Sequence, residues 1–117
     1  MKYILLIHHE EVLDENDRHD LLKESVQLAN KLHENRQYLD AAPLQPTSAT
    51  TRVKVRDGKR LVTDGPFAET REQIGGYFLI DAENLDEAID IAGRVPGARI
   101  GTVEVRPVRE VEGLPAA

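Results

Sequence analysis

The chain contains no cysteine, and that absence removes a block of chemistry: no disulfide, no thiolate nucleophile, no thiolate-bound zinc or other metal. Long apolar runs are missing too. Nothing approaches the roughly 18 consecutive apolar residues of a membrane-spanning helix, and Tyr3–Ile7 is too short for the apolar region of a secretory signal. A soluble, cytoplasmic protein with no membrane partner is therefore expected. A surplus of basic charge is also absent: 15 Lys and Arg face 21 Asp and Glu, for a net charge of −6. Binding that depends on neutralising phosphates is disfavoured, so nucleic acid is not an expected partner, although a local basic patch is compatible with this composition. The 117 residues suit one domain, residues 1–117, long enough to bury a real core.

What is present is apolar patterning cut by strong turn signals. Tyr3-Ile4-Leu5-Leu6-Ile7 is apolar at every position, as a strand buried on both faces requires. Asp14 to Asp20 is acidic and suits a helix start. Leu21, Leu22, Val26, Leu28, Ala29 and Leu32 then recur at helical spacing. Tyr38-Leu39 can open a short strand, while Pro43, Pro46 and Thr47–Thr51 mark a loop. Arg52–Arg56 and Arg60–Thr63 alternate around Asp57-Gly58, which predicts a protruding hairpin over 52–63. Tyr77–Ile80 is a second two-faced strand, and Asn84 with Glu87 forms a capping box for a helix whose predicted buried stripe is Leu85, Ala88, Ile89 and Ala92. Pro96-Gly97 ends that helix, Ile100–Val108 alternates as a last strand, and a short tail occupies 110–117.

That order predicts an α+β fold: a ferredoxin-like split βαβ, with an antiparallel sheet and two helices on one face. Two helices cover one side only, yet Tyr3, Leu5 and Ile7 oppose Ile4 and Leu6, as Tyr77 and Leu79 oppose Phe78 and Ile80. A second apolar face is left over. Its simplest cover is another copy of the chain, so a homodimer through the open sheet face is expected.

The candidate chemistry gathers in Asp64-Gly65-Pro66-Phe67-Ala68-Glu69-Thr70-Arg71-Glu72, just before Gly75-Gly76-Tyr77. Asp-Gly-Pro continues neither a helix nor a central strand, so the segment reads as an ordered polar loop, and such loops on rigid scaffolds concentrate binding and catalysis. Asp64 suits an Asx-type turn, and Phe67 is expected to anchor the loop by burying its ring. If Ala68–Gln73 forms a helical turn, Glu69 and Glu72 share one side at i, i+3. Paired carboxylates can then act as acid and base or hold a hard cation; equally, they can cap, solvate or pair with Arg52 or Arg106.

His8 and His9 end the first strand and point to opposite faces, which weakens any His-His-Glu metal site. His8, on the face of Ile4 and Leu6, is the stronger candidate for a general base, against the alternative of a strand-end His bonded to backbone or solvent. Glu104 and Arg106 share a face of the last strand, fit for an ion pair or for ligand recognition. Gly75-Gly76 lacks the strand-turn-helix context of a nucleotide fingerprint, so no cofactor and no metal is assigned.

The stretch Asp64–Glu72 followed by Gly75-Gly76-Tyr77-Phe78-Leu79-Ile80-Asp81 resembles the DGPF subgroup of the YCII-related family of small bacterial proteins. Met1–Ile7 is similar to that family's first strand, Leu44-Gln45-Pro46 to its mid-chain loop, and Glu104–Val108 to its final strand. The resemblance implies a dimeric α+β barrel, pairing sheet to sheet with a cleft near the interface. It implies a small polar or aromatic metabolite bound there by the Asp64–Glu72 loop. Some relatives carry a helix His and a nearby Asp resembling an acid-base dyad, but Ser25 falls where that His would stand, and a hydroxyl cannot replace imidazole as a base near neutral pH.

From the residues themselves, the candidate catalytic residues are His8, Glu69 and Glu72, and the candidate ligand-binding residues are Asp64, Arg71 and Arg106. An enzyme of this kind would move a proton with His8 or a Glu and steady an anion with Arg71 or Arg106, as in isomerisation or elimination. A non-catalytic regulatory module, in the context of extracytoplasmic-function sigma factors, is the other reading the resemblance implies.

Overall fold

The computed structural model describes residues 1–11 and 13–115. Residues 116 and 117, the end of the expected tail, lie outside the described residues. The first strand, β1 (Lys2–His9), is an inner strand of a four-stranded antiparallel sheet, with Tyr3 and Leu5 buried and Ile4 and Leu6 half-buried on the other face. Its neighbours are β5 (Gln73–Asp81) and β6 (Gly101–Pro107), and β2 (Tyr38–Pro43) completes the order β2-β5-β1-β6. Between them run α1 (Glu15–Glu34) and α2 (Leu85–Arg94), with β3 (Thr51–Arg56) and β4 (Lys59–Asp64) inserted after β2. This is the ferredoxin-like α+β arrangement predicted above.

Both helices lie on one side of the sheet. Leu28 and Leu32 of α1 and Ala88, Ile91 and Ala92 of α2 are buried with Tyr3, Leu5, Phe78 and Ile80. Fully burying one such large apolar side chain stabilises the fold by about 1.5–3 kcal/mol. The α2 stripe differs from the predicted one: Ile91 is buried, whereas Leu85 and Ile89 are half exposed. Four-residue spacing runs equally well through either set, and the packing of α2 against β6 goes with the arc centred on Ala88 and Ile91.

The helix ends follow their sequence signals. Asp14 caps α1 by accepting the Asp17 N–H at 2.8 Å. Asn84 caps α2 by accepting the Glu87 N–H at 2.9 Å, while the Glu87 carboxylate receives the Glu83 N–H at 3.3 Å and Gln37 Nε2 at 3.0 Å. Asp57 and Gly58 both have positive φ, 52° and 73°, as the tight turn joining β3 to β4 requires.

Between Ile7 and His8 the β1–β5 register shifts, so that His8 pairs with Ile74 and Gly75 stands as the extra residue. Space is tight at both glycines, against a side chain at Gly75 and against main chain at Gly76. A Cβ at Gly75 would run into the His9 ring, and one at Gly76 would lie 2.9 Å from the Ala42 carbonyl oxygen.

Candidate functional site

The two halves of α1 pack differently. Leu28 and Leu32 close against the sheet, but Leu22 and Val26, nearer the helix start, remain exposed. The helix start therefore stands away from β1, β2 and β5, and a cavity of about 700 Å³ opens between them. Its walls are largely apolar, with Ile7, Leu21, Ala29, Ile74 and Ile100 among them, and His9, Arg18, Asn30 and His33 add polar groups. The size falls within the range of small-molecule sites.

Local contacts set the polar wall. His9 lies over Gly75, and its Nδ1 is 2.9 Å from the Glu10 carbonyl, a geometry that suits a protonated Nδ1 donating to that oxygen. His33 meets Tyr38 edge to face, with ring centroids 6.2 Å apart. Ser25, also on the wall, donates its hydroxyl to the Leu21 carbonyl at 2.9 Å, so it is engaged with its own helix.

The Asp64–Glu72 segment borders a second, shallower hollow of about 400 Å³ with Glu11, Thr47 and Ser48. Residues 65–72 form bends without a helical turn. The reason lies in side chains: Thr70 Oγ1 donates to the Glu72 carbonyl at 2.5 Å, and Gln73 Nε2 donates to the carbonyls of Ala68 and Thr70 at 2.8 and 3.1 Å. These bonds take the carbonyls that helical N–H groups would otherwise reach. Glu69 and Glu72 are accordingly not brought to one side: Glu69 lines the shallow hollow, and the Glu72 carboxylate accepts Thr102 Oγ1 at 3.1 Å.

Arg71 pairs with Glu10 at 2.9 Å. The expected Asx turn at Asp64 is replaced by a backbone bond, the Gly65 N–H donating to the Thr50 carbonyl at 2.9 Å. Phe67 is no anchor within this chain, being 83% exposed. Arg71 is itself 88% exposed in side chain, so Arg71→Ala is expected to cost less than about 1 kcal/mol in chemical denaturation. A larger loss would give this ion pair a role in folding.

The sheet face away from the helices carries a different set. Leu6 pairs with Tyr77 on one side and Glu104 on the other, while Ile4 sits between Leu79 and Arg106. The buried Nε2 of His8 lies against the Glu104 carboxylate, without the alignment of a hydrogen bond. Thr102, the cross-strand partner of His8, links this pair to Glu72. Of the sequence candidates, His8, Glu72 and Arg106 thus share one face or its rim, whereas Asp64, Glu69 and Arg71 belong to the loop.

The sequence pattern of the YCII-related domain matches residues 1–112. The chain belongs to the YCII-related family. An uncharacterised protein of Rhizobium meliloti (strain 1021) is 43% identical to this YCII-related chain over 81 residues, spanning 62% of the chain and 65% of that relative. The site residues that sequence reasoning missed in this family member are His9, Arg18, Asn30 and His33. His9 shares strand parity with Tyr3 and Leu5, but that these face the helices is shown by their burial and not by the sequence, which is apolar on both parities.

One further group on the open face of the YCII-related sheet has a shifted proton affinity. The Tyr77 hydroxyl donates to Asp40 at 2.7 Å, and this bond, ahead of desolvation and the carboxylate's charge, raises the phenol above its usual 10.0. The raised folded value fixes the sign: the contact's stabilisation is complete below the unfolded pKa and is lost as pH rises through the folded one. Tyrosinate absorbance should therefore show one late-titrating phenol, which Asp40→Asn returns to the ordinary range. An unchanged titration in Asp40→Asn would contradict the bond.

Proposed function

We propose that this YCII-related protein belongs to the DGPF subgroup and is a homodimeric small-molecule-binding protein. Its ligand is a metabolite with an aromatic or other apolar body and a polar end. The cavity between α1 and the sheet carries this reading, being of ligand size and mostly apolar with a few polar groups. The apolar body fits against Leu21, Ala29 and Ile74; the polar end meets His9, Arg18 or His33. Arg71 acts from the rim by offsetting the charge of Glu10, which also lines the cavity. The open side of the sheet, with Ile4, Leu6 and Leu79 half-buried on it, supports pairing with a second copy.

A second reading has its own observation. The His8–Glu104 pair beside Thr102 and Glu72 is an acid-base group on the open face, with Arg106 farther along to receive an anion. On this reading the protein is an isomerase- or lyase-type enzyme. Thermal-shift screening of a metabolite library, followed by mass analysis of each hit, separates the two. Binding without conversion supports the binding protein; conversion that disappears in His8→Ala supports the enzyme. A screen in which nothing shifts the melting temperature contradicts the ligand-binding proposal.

A further inference from the structure

The β3–β4 hairpin is the least supported element of the fold. Among the described residues, each strand packs extensively only against the other, and the pair forms a separate two-stranded sheet. Isolated hairpins of this size are marginal in water. This one also exposes apolar side chains: Val53, Val55 and Val62 share one face, through the Val53↔Val62 and Val55↔Arg60 pairings, and are 60%, 61% and 58% exposed. Its projection stretches the molecule. The radius of gyration is 16.0 Å, against about 13 Å for a compact chain of similar length.

Charge separates the hairpin from the rest of the chain. Arg52, Lys54, Arg56, Lys59 and Arg60 make five of the 15 basic residues, while Asp57 and Asp64 are its only two of the 21 acidic ones. Ten basic residues then face nineteen acidic ones elsewhere. A basic arm with an apolar face, carried by an acidic body, is complementary to another copy of that body.

We propose that the β3–β4 hairpin is an arm that clasps a second copy of the chain, its valine face on apolar surface and its Arg and Lys side chains on carboxylates of the partner. Docking supplies the third layer that the isolated hairpin lacks. The inference rests on the second-copy part of the reading above and assigns the arm a role that sheet-to-sheet pairing does not require.

The test is hydrogen exchange on the full chain across a dilution series, alongside light scattering. The expected result is a dimer in which amides of residues 52–63 exchange at least roughly tenfold more slowly than in the dilute monomer. A companion variant, Lys54→Glu with Arg56→Glu and Lys59→Glu, should lose that protection and weaken the dimer at least tenfold, with core amides unchanged. A stable dimer whose arm exchanges as fast as in the monomer overturns the clasp and leaves the homodimer reading intact. A monomer at every concentration overturns both. Arm protection appearing only on addition of a short DNA duplex assigns the arm to nucleic acid and also overturns the proposal.

Discussion

Gly101→Ala is expected to cost roughly 3 kcal/mol or more of stability, the upper part of the range for forcing atoms into a packed site, and to lower the melting temperature by roughly 10 °C. Gly101 opens β6 opposite His9, and a Cβ there would fall onto the backbone carbonyl of His8. The obstacle is main chain in the central strand, so no rotamer change relieves it; either β6 moves away from β1 or its first ladder bonds break. The effect comes from space, since Gly101 is not among the glycines with positive φ. Gly93 provides the control. It lies in α2, and a methyl group added there would meet nothing within 4 Å, so Gly93→Ala should stabilise by about 0.5–1 kcal/mol through helix propensity. Thermal unfolding of both variants checks the pair, and a Gly101→Ala protein melting within about 2 °C of wild type would contradict the β1–β6 contact.

The second large effect concerns the cavity. A ligand held at a hundred times its dissociation constant stabilises the native state by about 2.7 kcal/mol, a rise of roughly 10 °C in melting temperature for a domain of this size. Ser25→Phe should abolish that rise. Ser25 faces the cavity from α1, and its hydroxyl satisfies only the Leu21 carbonyl of its own helix. A phenyl ring at this position enters about 700 Å³ of space without displacing a core side chain, so the fold should survive while the ligand loses its place. A Ser25→Phe protein with native circular dichroism and an undiminished ligand shift would put the binding site elsewhere.

Much of the fold was legible in the chain. The unbroken apolar runs Tyr3–Ile7 and Tyr77–Ile80 announced central strands, Asp57-Gly58 announced the tight turn, and Asn84 with Glu87 announced the start of α2. The lifted half of α1 was not legible. Leu21, Leu22 and Val26 have the same spacing as Leu28 and Leu32, and periodicity identifies an apolar arc without saying which turns reach the sheet. The side of β1 that faces the helices was hidden for a related reason. Both faces of the strand are apolar, so alternation alone could not favour His9 over His8 as the cavity residue.

The loop misled in a different way. Glu69 and Glu72 fall together only on a helical turn, and the Thr70 and Gln73 side chains divert the carbonyls such a turn needs. Phe67 suits a loop anchor by type, yet nothing in composition reveals that its ring stands in solvent. The bulge at Gly75 arises from pairing between distant strands, and the two glycines signalled close approach without naming His9 and Ala42 as the groups approaching.

Binding in the cavity is tested most sharply by amide chemical-shift mapping of the chain titrated with a hit from the metabolite screen. Ligand in the cavity predicts saturable shifts concentrated at His9, Ser25, Ala29, His33 and Gly75, along its walls. Shifts confined to His8, Thr102 and Glu104, on the opposite face of the sheet, would contradict it.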